Sequence, residues 1–323
     1  MKDYPIKCLH DNVSHLIASL QVVDIKTASE RGFDSKVIET DTKGRITETS
    51  HIYNNTVRLS MAFCQYLWIF CKIGIMFADN DLINEAVEEM TEDERLNFYK
   101  ELEIARKNKD LDIKGIGEAL YAESVLCRKS VLQTTYDLVS YAKEIKENGA
   151  SDELKDKLLY FIQDPIFSIG ANGTYTYALA FILLHEFSHF ELQHNQVEGP
   201  KEDELEADYS AFWNLYSEAK DEQEARTVIM GMVCSLSIIA ILQGTWQETE
   251  EHPSVTKRIE KLLSLFEDKP ERLVKVKHVI CYYIRIWAFV TDNTDCPDFV
   301  ENDLDQSFNA MFEYVKRQQG NSV

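Results

Sequence analysis

The chain has 323 residues, of which 45% are hydrophobic, and it carries a formal net charge of −21. A uniformly acidic surface repels phosphate groups, so the charge argues against a nucleic-acid-binding protein. The chain contains only 12 glycines and 6 prolines, and this scarcity of turn-forming residues predicts a mainly α-helical protein with at most a small β element.

The N-terminal residues contain no apolar stretch of the kind found in secretory leaders. We therefore expect a cytoplasmic protein. The seven cysteines are scattered, and several lie in apolar runs. This distribution predicts reduced core thiols rather than a disulfide framework or a zinc knuckle.

The N-terminal third alternates between polar and apolar segments. Residues 1–55 are polar and mixed, with a predicted turn at 41–45. The apolar run 56–78 follows, and its Lys72 favours a buried amphipathic helix over a membrane span. Residues 80–114 are highly charged, which predicts solvated helices and connections.

A helical spacing of apolar residues returns over 117–148 and ends at Gly149. No motif in the first 165 residues indicates a chemistry. We therefore interpret residues 1–165 as a helical N-terminal region with a regulatory or substrate-binding role.

Three helices are predicted in the next hundred residues. Turn-forming residues at 166–174 precede a helix over about 174–195, and helices over 202–220 and 226–244 follow. The stretch Thr227–Gln247 contains no charged residue, so a membrane span is an alternative. The charged helix before it cannot cross a bilayer, whereas two antiparallel helices of ~30 Å return the chain to its starting level. We therefore expect a buried core helix and no membrane span.

The first of these helices contains the motif His-Glu-x-x-His. Residues four apart lie above one another on a helix, so His185 and His189 can hold one ion between them. Glu186 lies about 100° further round the helix, where it is suited to act on a metal-activated water rather than on the metal. The motif alone occurs by chance, so its neighbours decide its meaning.

A second helix supplies carboxylates. Fifteen residues after His189, the sequence Glu204-Leu-Glu-Ala-Asp208 has the form Glu-x-x-Ala-Asp. Catalytic zinc sites take three protein ligands and keep a fourth position for water, and two histidines with Glu204 make such a set. Asp208, one turn beyond Glu204, is positioned to accept the second ring N–H of a ligand histidine. The alternative is a solvated helix start favoured by the macrodipole.

A third element is His252-Pro253 followed by Arg258 and Ile259. The antiparallel helices bring this segment back to the end where Glu204 lies. His252 is then positioned to donate a hydrogen bond to the oxyanion of a tetrahedral intermediate or to bind the metal in a resting state. Arg258 is positioned to pair with Asp208 or a neighbouring carboxylate. The alternative is that His252-Pro253 is merely a helix-entry turn.

The three motifs together carry a family resemblance over about residues 170–260. His-Glu-x-x-His, Glu-x-x-Ala-Asp and His-Pro-x-x-x-x-Arg-Ile resemble the gluzincin metallopeptidases of the HtpX and CAAX-prenyl protease group. The sequence leading into His185, Thr-Tyr-Ala-Leu-Ala-Phe-Ile-Leu-Leu, is more similar to the family of the phage-exclusion protease Lit. Residues 166–323 are accordingly expected to form the metallopeptidase core.

The resemblance implies a mononuclear zinc endopeptidase. His185, His189 and Glu204 are then the Zn²⁺ ligands and Glu186 the catalytic base. For the phage-exclusion branch, the resemblance further implies an intracellular protein substrate, a translation factor in the type case, that is cleaved upon phage infection. A phage-derived activator is the corresponding expected partner.

Other interpretations remain open at the level of sequence. His194 does not follow the metzincin spacing. That pattern requires a glycine at position 192 and a histidine at position 195, where this chain has Leu192 and Asn195. Regulatory proteins of the ImmA type, which are linked to repressor control in mobile elements, share His-Glu-x-x-His and a downstream glutamate. This leaves a metal-bound sensor of a mobile element as the second hypothesis, and satisfied core histidines without metal as the third.

Overall fold

The structure of the protein is a computed structural model. It describes residues 6–19, 34–38, 51–53, 56–88, 128–148, 165–192, 201–250 and 252–318, except for 267, 268, 270, 271, 292, 299, 301 and 302. The turn predicted at 41–45 and most of the charged stretch 80–114 lie outside these residues. Within them the fold is mainly α-helical, as predicted from composition.

The N-terminal part contains a small sheet between helices. Helix α1 spans Ile6–Ser19, and strands β1 (Asp34–Ile38), β2 (His51–Tyr53) and β3 (Thr56–Ser60) follow. Strand β3 is central, parallel to β1 and antiparallel to β2. It leads directly into the next helix, so the sheet is attached to the helical core through its middle strand.

Helix α2 (Met61–Glu88) is buried on all sides over its first half. The sequence predicted a buried amphipathic helix over 56–78. The burial is confirmed over residues 61–74, but the prediction was wrong in two other respects. The run begins as strand β3, and Lys72 is fully buried, with its ammonium nitrogen 5.5 Å from the centre of the Trp68 ring. The helix therefore has no polar face here, because other helices surround it.

In the part of the chain that the structure describes, three helices follow α2, and the third carries Glu204 and Asp208. These are α3 (Arg128–Asn148), α4 (Pro165–Glu191) and α5 (Lys201–Tyr216). Helix α4 packs against α2 on one side and against α5 on another. It begins nine residues earlier than predicted, so the turn expected at 166–174 was wrong.

Tertiary contacts explain why turn-forming residues continue a helix here. The backbone N–H at the first helical position has no partner within the helix, and proline lacks only this N–H. Pro165 therefore begins α4 without the loss of a hydrogen bond. A side chain at Gly170 would approach a methyl carbon of Ile75 to 3.0 Å, so the glycine allows α2 and α4 to pack closely. Asn172 accepts a hydrogen bond from the Trp68 indole at 2.8 Å. Packing against α2 thus outweighs the low helix propensity of these residues.

The C-terminal part completes the bundle. Helix α6 spans Glu222–Gln243, α7 Val255–Leu263, α8 Leu273–Val290 and α9 Leu304–Arg317, with a short 3₁₀ turn over Ser264–Phe266. Helix α6 packs against α4 and α8, and four cysteines are buried in this core: Cys64, Cys71, Cys234 and Cys281. The described parts of both halves of the chain contribute to one hydrophobic core.

Helix α6 is the apolar helix that the sequence assigned to the core. Among the described residues it is the one helix long and apolar enough to cross a membrane, and 83% of its most apolar stretch is buried in the protein. Gly231 lies where α6 meets α4, since a Cβ there would be 2.8 Å from the Ala178 backbone nitrogen. Ser235 donates a hydrogen bond to the Ala178 carbonyl at 3.0 Å. The interior of the bundle therefore includes a close crossing of α6 over the helix that carries the two histidines.

Candidate metal centre

The two histidines of α4 point to a common position. His185 and His189 lie one turn apart, and their Nε2 atoms are 3.1 Å from each other. The rings are almost perpendicular, at 84°, with centroids 4.7 Å apart. Both residues are more than nine-tenths buried, so their nitrogens converge in a site largely removed from bulk water.

Glu204, in the first turn of α5, reaches both histidines. Its Oε1 is 3.1 Å from the Nε2 of His189, and its Oε2 is 3.4 Å from the Nε2 of His185. Oε2 of Glu204 is buried, and none of its short contacts has the geometry of a hydrogen bond. One donor atom from each of the three residues lies within 4.8 Å of the others, so the group can hold a metal ion.

Small residues bring α5 against α4 at this point. Ala207 and Ala211 face inward and are fully buried, which allows the two helix backbones to approach. The hydroxyl of Ser188 lies 3.0 Å from that of Ser210, and Ser188 also donates to the Leu184 carbonyl at 2.8 Å. The contact between Ser188 and Ser210 was not predicted from the sequence, although Ser188 lies inside the His-Glu-x-x-His motif.

Asp208 and Arg258 form a buried pair behind His185. Asp208 Oδ1 lies 3.0 Å from the Nδ1 of His185. Arg258 donates to both carboxylate oxygens, from Nε and from Nη2, each at 2.6 Å. The contact with Nδ1 leaves Nε2 of His185 directed towards Glu204, so Asp208 selects the ring nitrogen that faces the candidate metal position.

The charges of this pair stabilise each other. Burial by itself raises the pKa of Asp208, but the Arg258 guanidinium outweighs burial and holds that pKa below its usual range. Burial likewise opposes the charge of Arg258, whereas Asp208, Glu204 and Glu186 raise the pKa of the guanidinium. A buried carboxylate and a buried guanidinium therefore both remain ionised.

The same carboxylates favour the protonated form of His185. Burial lowers the pKa of His185, but the nearby carboxylates of Asp208 and Glu204 raise it overall to about 10. Burial also raises the pKa of Glu204, and the surrounding imidazoles lower it well below the usual range.

His252 enters the site from the loop between α6 and α7. Gly244 ends α6 in the left-handed conformation (φ 74°), which a residue with a side chain rarely adopts. Trp246 is fully buried, and its carbonyl accepts a hydrogen bond from the Val255 N–H at 3.1 Å. The loop held in this way places Nδ1 of His252 3.0 Å from Oε2 of Glu204.

The structure thus places the residues predicted from sequence around one point. Two histidines come from α4, Glu204 and Asp208 from α5, His252 from the loop before α7, and Arg258 from α7 itself. Glu186 is partly buried on α4, next to His185. His252-Pro253 is also the entry turn of a helix, so both interpretations of this dipeptide describe the same segment. His194 lies outside the described residues.

Comparison with known proteins gives one match. A family model described as Peptidase U49 matches residues 57–278, which is about two thirds of the chain and includes all of the residues that converge at the candidate metal centre. The match begins well inside the N-terminal region. No curated protein and no solved structure matches the chain.

Proposed function

The chain belongs to the peptidase U49 family, and we propose that it is a zinc-dependent endopeptidase that hydrolyses a protein substrate with a metal-activated water. The family membership makes it a peptidase. The zinc ion, the roles of the individual residues and the substrate are the parts that we propose.

The spacing of the donor atoms carries this proposal. Zinc bound tetrahedrally at 2.0–2.1 Å places its ligand atoms about 3.3 Å from one another. The Nε2 atoms of His185 and His189 are 3.1 Å apart, and each lies near a different oxygen of Glu204, at 3.4 and 3.1 Å. Taking one donor atom from each residue, all three lie within 4.8 Å of one another. Two imidazoles and one carboxylate are also a donor set typical of catalytic zinc. These residues therefore fit the ion in both geometry and chemistry.

Bound zinc would polarise the substrate carbonyl and lower the pKa of water towards ~7. In the proposed reaction Glu186 accepts a proton from the attacking water and then passes it to the leaving amine. His252 donates a hydrogen bond to the negative charge that develops on the carbonyl oxygen. Asp208 holds His185 in the tautomer that leaves Nε2 as a ligand, and Arg258 holds Asp208.

We further propose that the substrate is an intracellular host protein and that the peptidase acts in phage exclusion, with a translation factor as target and a phage-derived molecule as activator. The resemblance of the segment around His185 to the phage-exclusion proteases supports this assignment. We propose a cytoplasmic location for the enzyme. The burial of the apolar helix α6 within the bundle supports a helix that packs in the protein rather than spanning a membrane. The N-terminal region 1–165 is the proposed place for substrate binding or regulation.

The test compares the wild-type protein with Glu186→Gln in bacterial cells. New protein N-termini are identified by mass spectrometry, and bound zinc is measured on the purified proteins. We expect one zinc per chain in both forms and new N-termini only with the wild type. Glu191→Gln, the same change at another carboxylate of α4, serves as the matched control and should retain cleavage.

Two outcomes would contradict the proposal. The first is continued cleavage by Glu186→Gln that contains one zinc per chain, because the proton acceptor would then be another group. The second is zinc in both forms with identical sets of N-termini, which would favour a metal-bound regulatory module of the ImmA type instead.

A further inference from the structure

Helix α5 has a second surface, on the side that faces solvent. Its exposed positions include Glu202, Glu206, Tyr209 and Trp213, which follow one another at steps of four, three and four residues and so share one face of the helix. Glu204 and Asp208 lie on the inward side, where they meet His185. One helix therefore carries a candidate metal ligand on its inner side and a stripe of two carboxylates and two aromatic rings on its outer side.

The two rings of this stripe are stacked. Tyr209 and Trp213 are 43% and 48% exposed, and their rings are 6.2 Å apart with planes only 4° from parallel. The other three of the four tryptophans, Trp68, Trp246 and Trp287, are buried. Trp213 is thus the indole that reaches solvent, and its ring lies parallel to that of Tyr209.

The aromatic row already binds one cation of this protein. Tyr216 continues the row, with its ring 6.0 Å from that of Trp213. The guanidinium carbon of Arg272 lies 5.9 Å from the centre of the Tyr216 ring, and Arg272 Nε donates to Glu222 at 2.8 Å. Arg272 also donates to the Tyr216 hydroxyl. The end of the row therefore shows a guanidinium held by a tyrosine, through its ring and its hydroxyl, together with a carboxylate.

We propose that Tyr209 and Trp213, with the carboxylates of Glu202 and Glu206, bind an arginine- or lysine-containing segment of the protein substrate outside the bond that is cleaved. Cations bind the faces of aromatic rings, and indole binds them best. The net charge of −21 attracts basic segments from a distance. This inference rests on the proposed function, since it assigns part of the substrate of the same site.

The distance along the helix locates the bound segment. Trp213 lies nine residues after Glu204, which is about 13 Å along the helix axis. An extended chain advances about 3.3 Å per residue. A substrate that spans from the metal centre to the stripe therefore carries its basic residue at least roughly four residues from the cleaved bond.

Binding is tested separately from cleavage, on full-length zinc-loaded Glu186→Gln. The probe is a fluorescein-labelled peptide of alternating arginine and glycine, and affinity is measured by fluorescence anisotropy. We expect Trp213→Leu and Tyr209→Leu each to weaken binding about two- to fivefold, whereas Trp213→Phe retains most of the affinity. Phe289→Leu, at an exposed ring on α8 (63% exposed), is the matched control and should leave affinity unchanged.

Trp213 also gives a direct readout of its own environment. Because the other tryptophans are buried, quenching of the intrinsic fluorescence by acrylamide reports mainly on Trp213. The arginine peptide should reduce this quenching, and added salt should reverse the protection because it screens exposed charges. For the substrate identified by its new N-terminus, Trp213→Leu should raise KM and leave kcat unchanged.

Four results would overturn the inference. These are equal binding of a peptide with glutamate in place of arginine, unchanged affinity in Trp213→Leu, an unchanged KM for the identified substrate, and a wild-type dimer that Trp213→Leu converts to a monomer. The last would assign the stripe to a second copy of the chain. Failure of the inference leaves cleavage by the wild type intact, whereas failure of the proposed function is seen as the absence of cleavage with peptide binding retained.

Discussion

The pair formed by Arg258 and Asp208 offers the sharpest test of how the site is held. Arg258→Met removes the guanidinium and keeps an unbranched apolar side chain in a buried position. Asp208, only 1% exposed, then loses two hydrogen bonds of 2.6 Å and retains its contact with His185. Removing one member of a buried ion pair typically costs about 3–5 kcal/mol, because the other charge stays buried without compensation.

This cost translates into measurable quantities. An unfolding entropy of about 2.1 cal/mol/K per residue amounts to about 0.7 kcal/mol/K for a chain of this length. A loss of about 3–5 kcal/mol therefore lowers Tm by about 4–7 °C. Because Asp208 also orients His185, zinc affinity should fall about 10- to 100-fold, as is typical when a partner of a metal-ligating histidine is lost.

Thermal unfolding followed by circular dichroism gives the first quantity, and competition with a zinc-binding dye gives the second. Lys257→Met, at an exposed position of α7 next to Arg258, is the matched control and should change the free energy of unfolding by less than about 0.5 kcal/mol. The double variant Arg258→Met/Asp208→Asn should recover part of the stability, since no buried charge is left unpaired. A single variant within about 1 kcal/mol of wild type, or a double variant less stable than both single variants, would refute the reasoning.

Three further predictions concern the metal, the oxyanion and the helix crossing. His185→Ala should lose both zinc and cleavage, and chelation should lower the Tm of the wild type until zinc is restored; a Tm unaffected by chelator would contradict a bound structural or catalytic ion. His252→Ala should retain one zinc per chain and lose about 10²- to 10³-fold in kcat, as for other oxyanion donors; an unchanged kcat would remove His252 from the mechanism. Gly231→Ala should destabilise the fold by about 1–3 kcal/mol in denaturant unfolding, because its Cβ would lie 2.8 Å from the backbone of α4; no change would show that the two helices can separate freely.

The local part of the candidate site could be predicted from the sequence because helix periodicity is a short-range property. The spacing of His185 and His189 places both rings on one face in any α-helix, and the spacing of Glu204 and Asp208 does the same on the next helix. The long charge-free stretch predicted a buried helix that returns the chain, and α6 is such a helix. The resemblance to phage-exclusion proteases named the peptidase group to which the family match also points.

The errors of the sequence analysis arose where neighbours in space outweighed local propensity. Gly170 and Asn172 are turn-forming residues, yet α2 supplies a close contact for one and a hydrogen bond for the other, so α4 continues through them. Lys72 was expected to mark a polar face, and it is fully buried beside Trp68. The division of the chain at residue 165 stays a prediction.

The sequence by itself determined which residue types stand one helical turn apart, and with them the kind of chemistry that the chain can support. Only the tertiary structure decided that these two pairs meet each other and His252 and Arg258, because helix packing joins residues that are 15 or more positions apart in the sequence, which no local pattern encodes. It also decided which of the acidic positions on α5 face inward. Glu204 and Asp208 meet His185, while Glu202 and Glu206 remain at the surface. The reason is that the small alanines of α5 are buried against α4, and their burial, rather than the charges of the helix, sets which side of α5 faces inward.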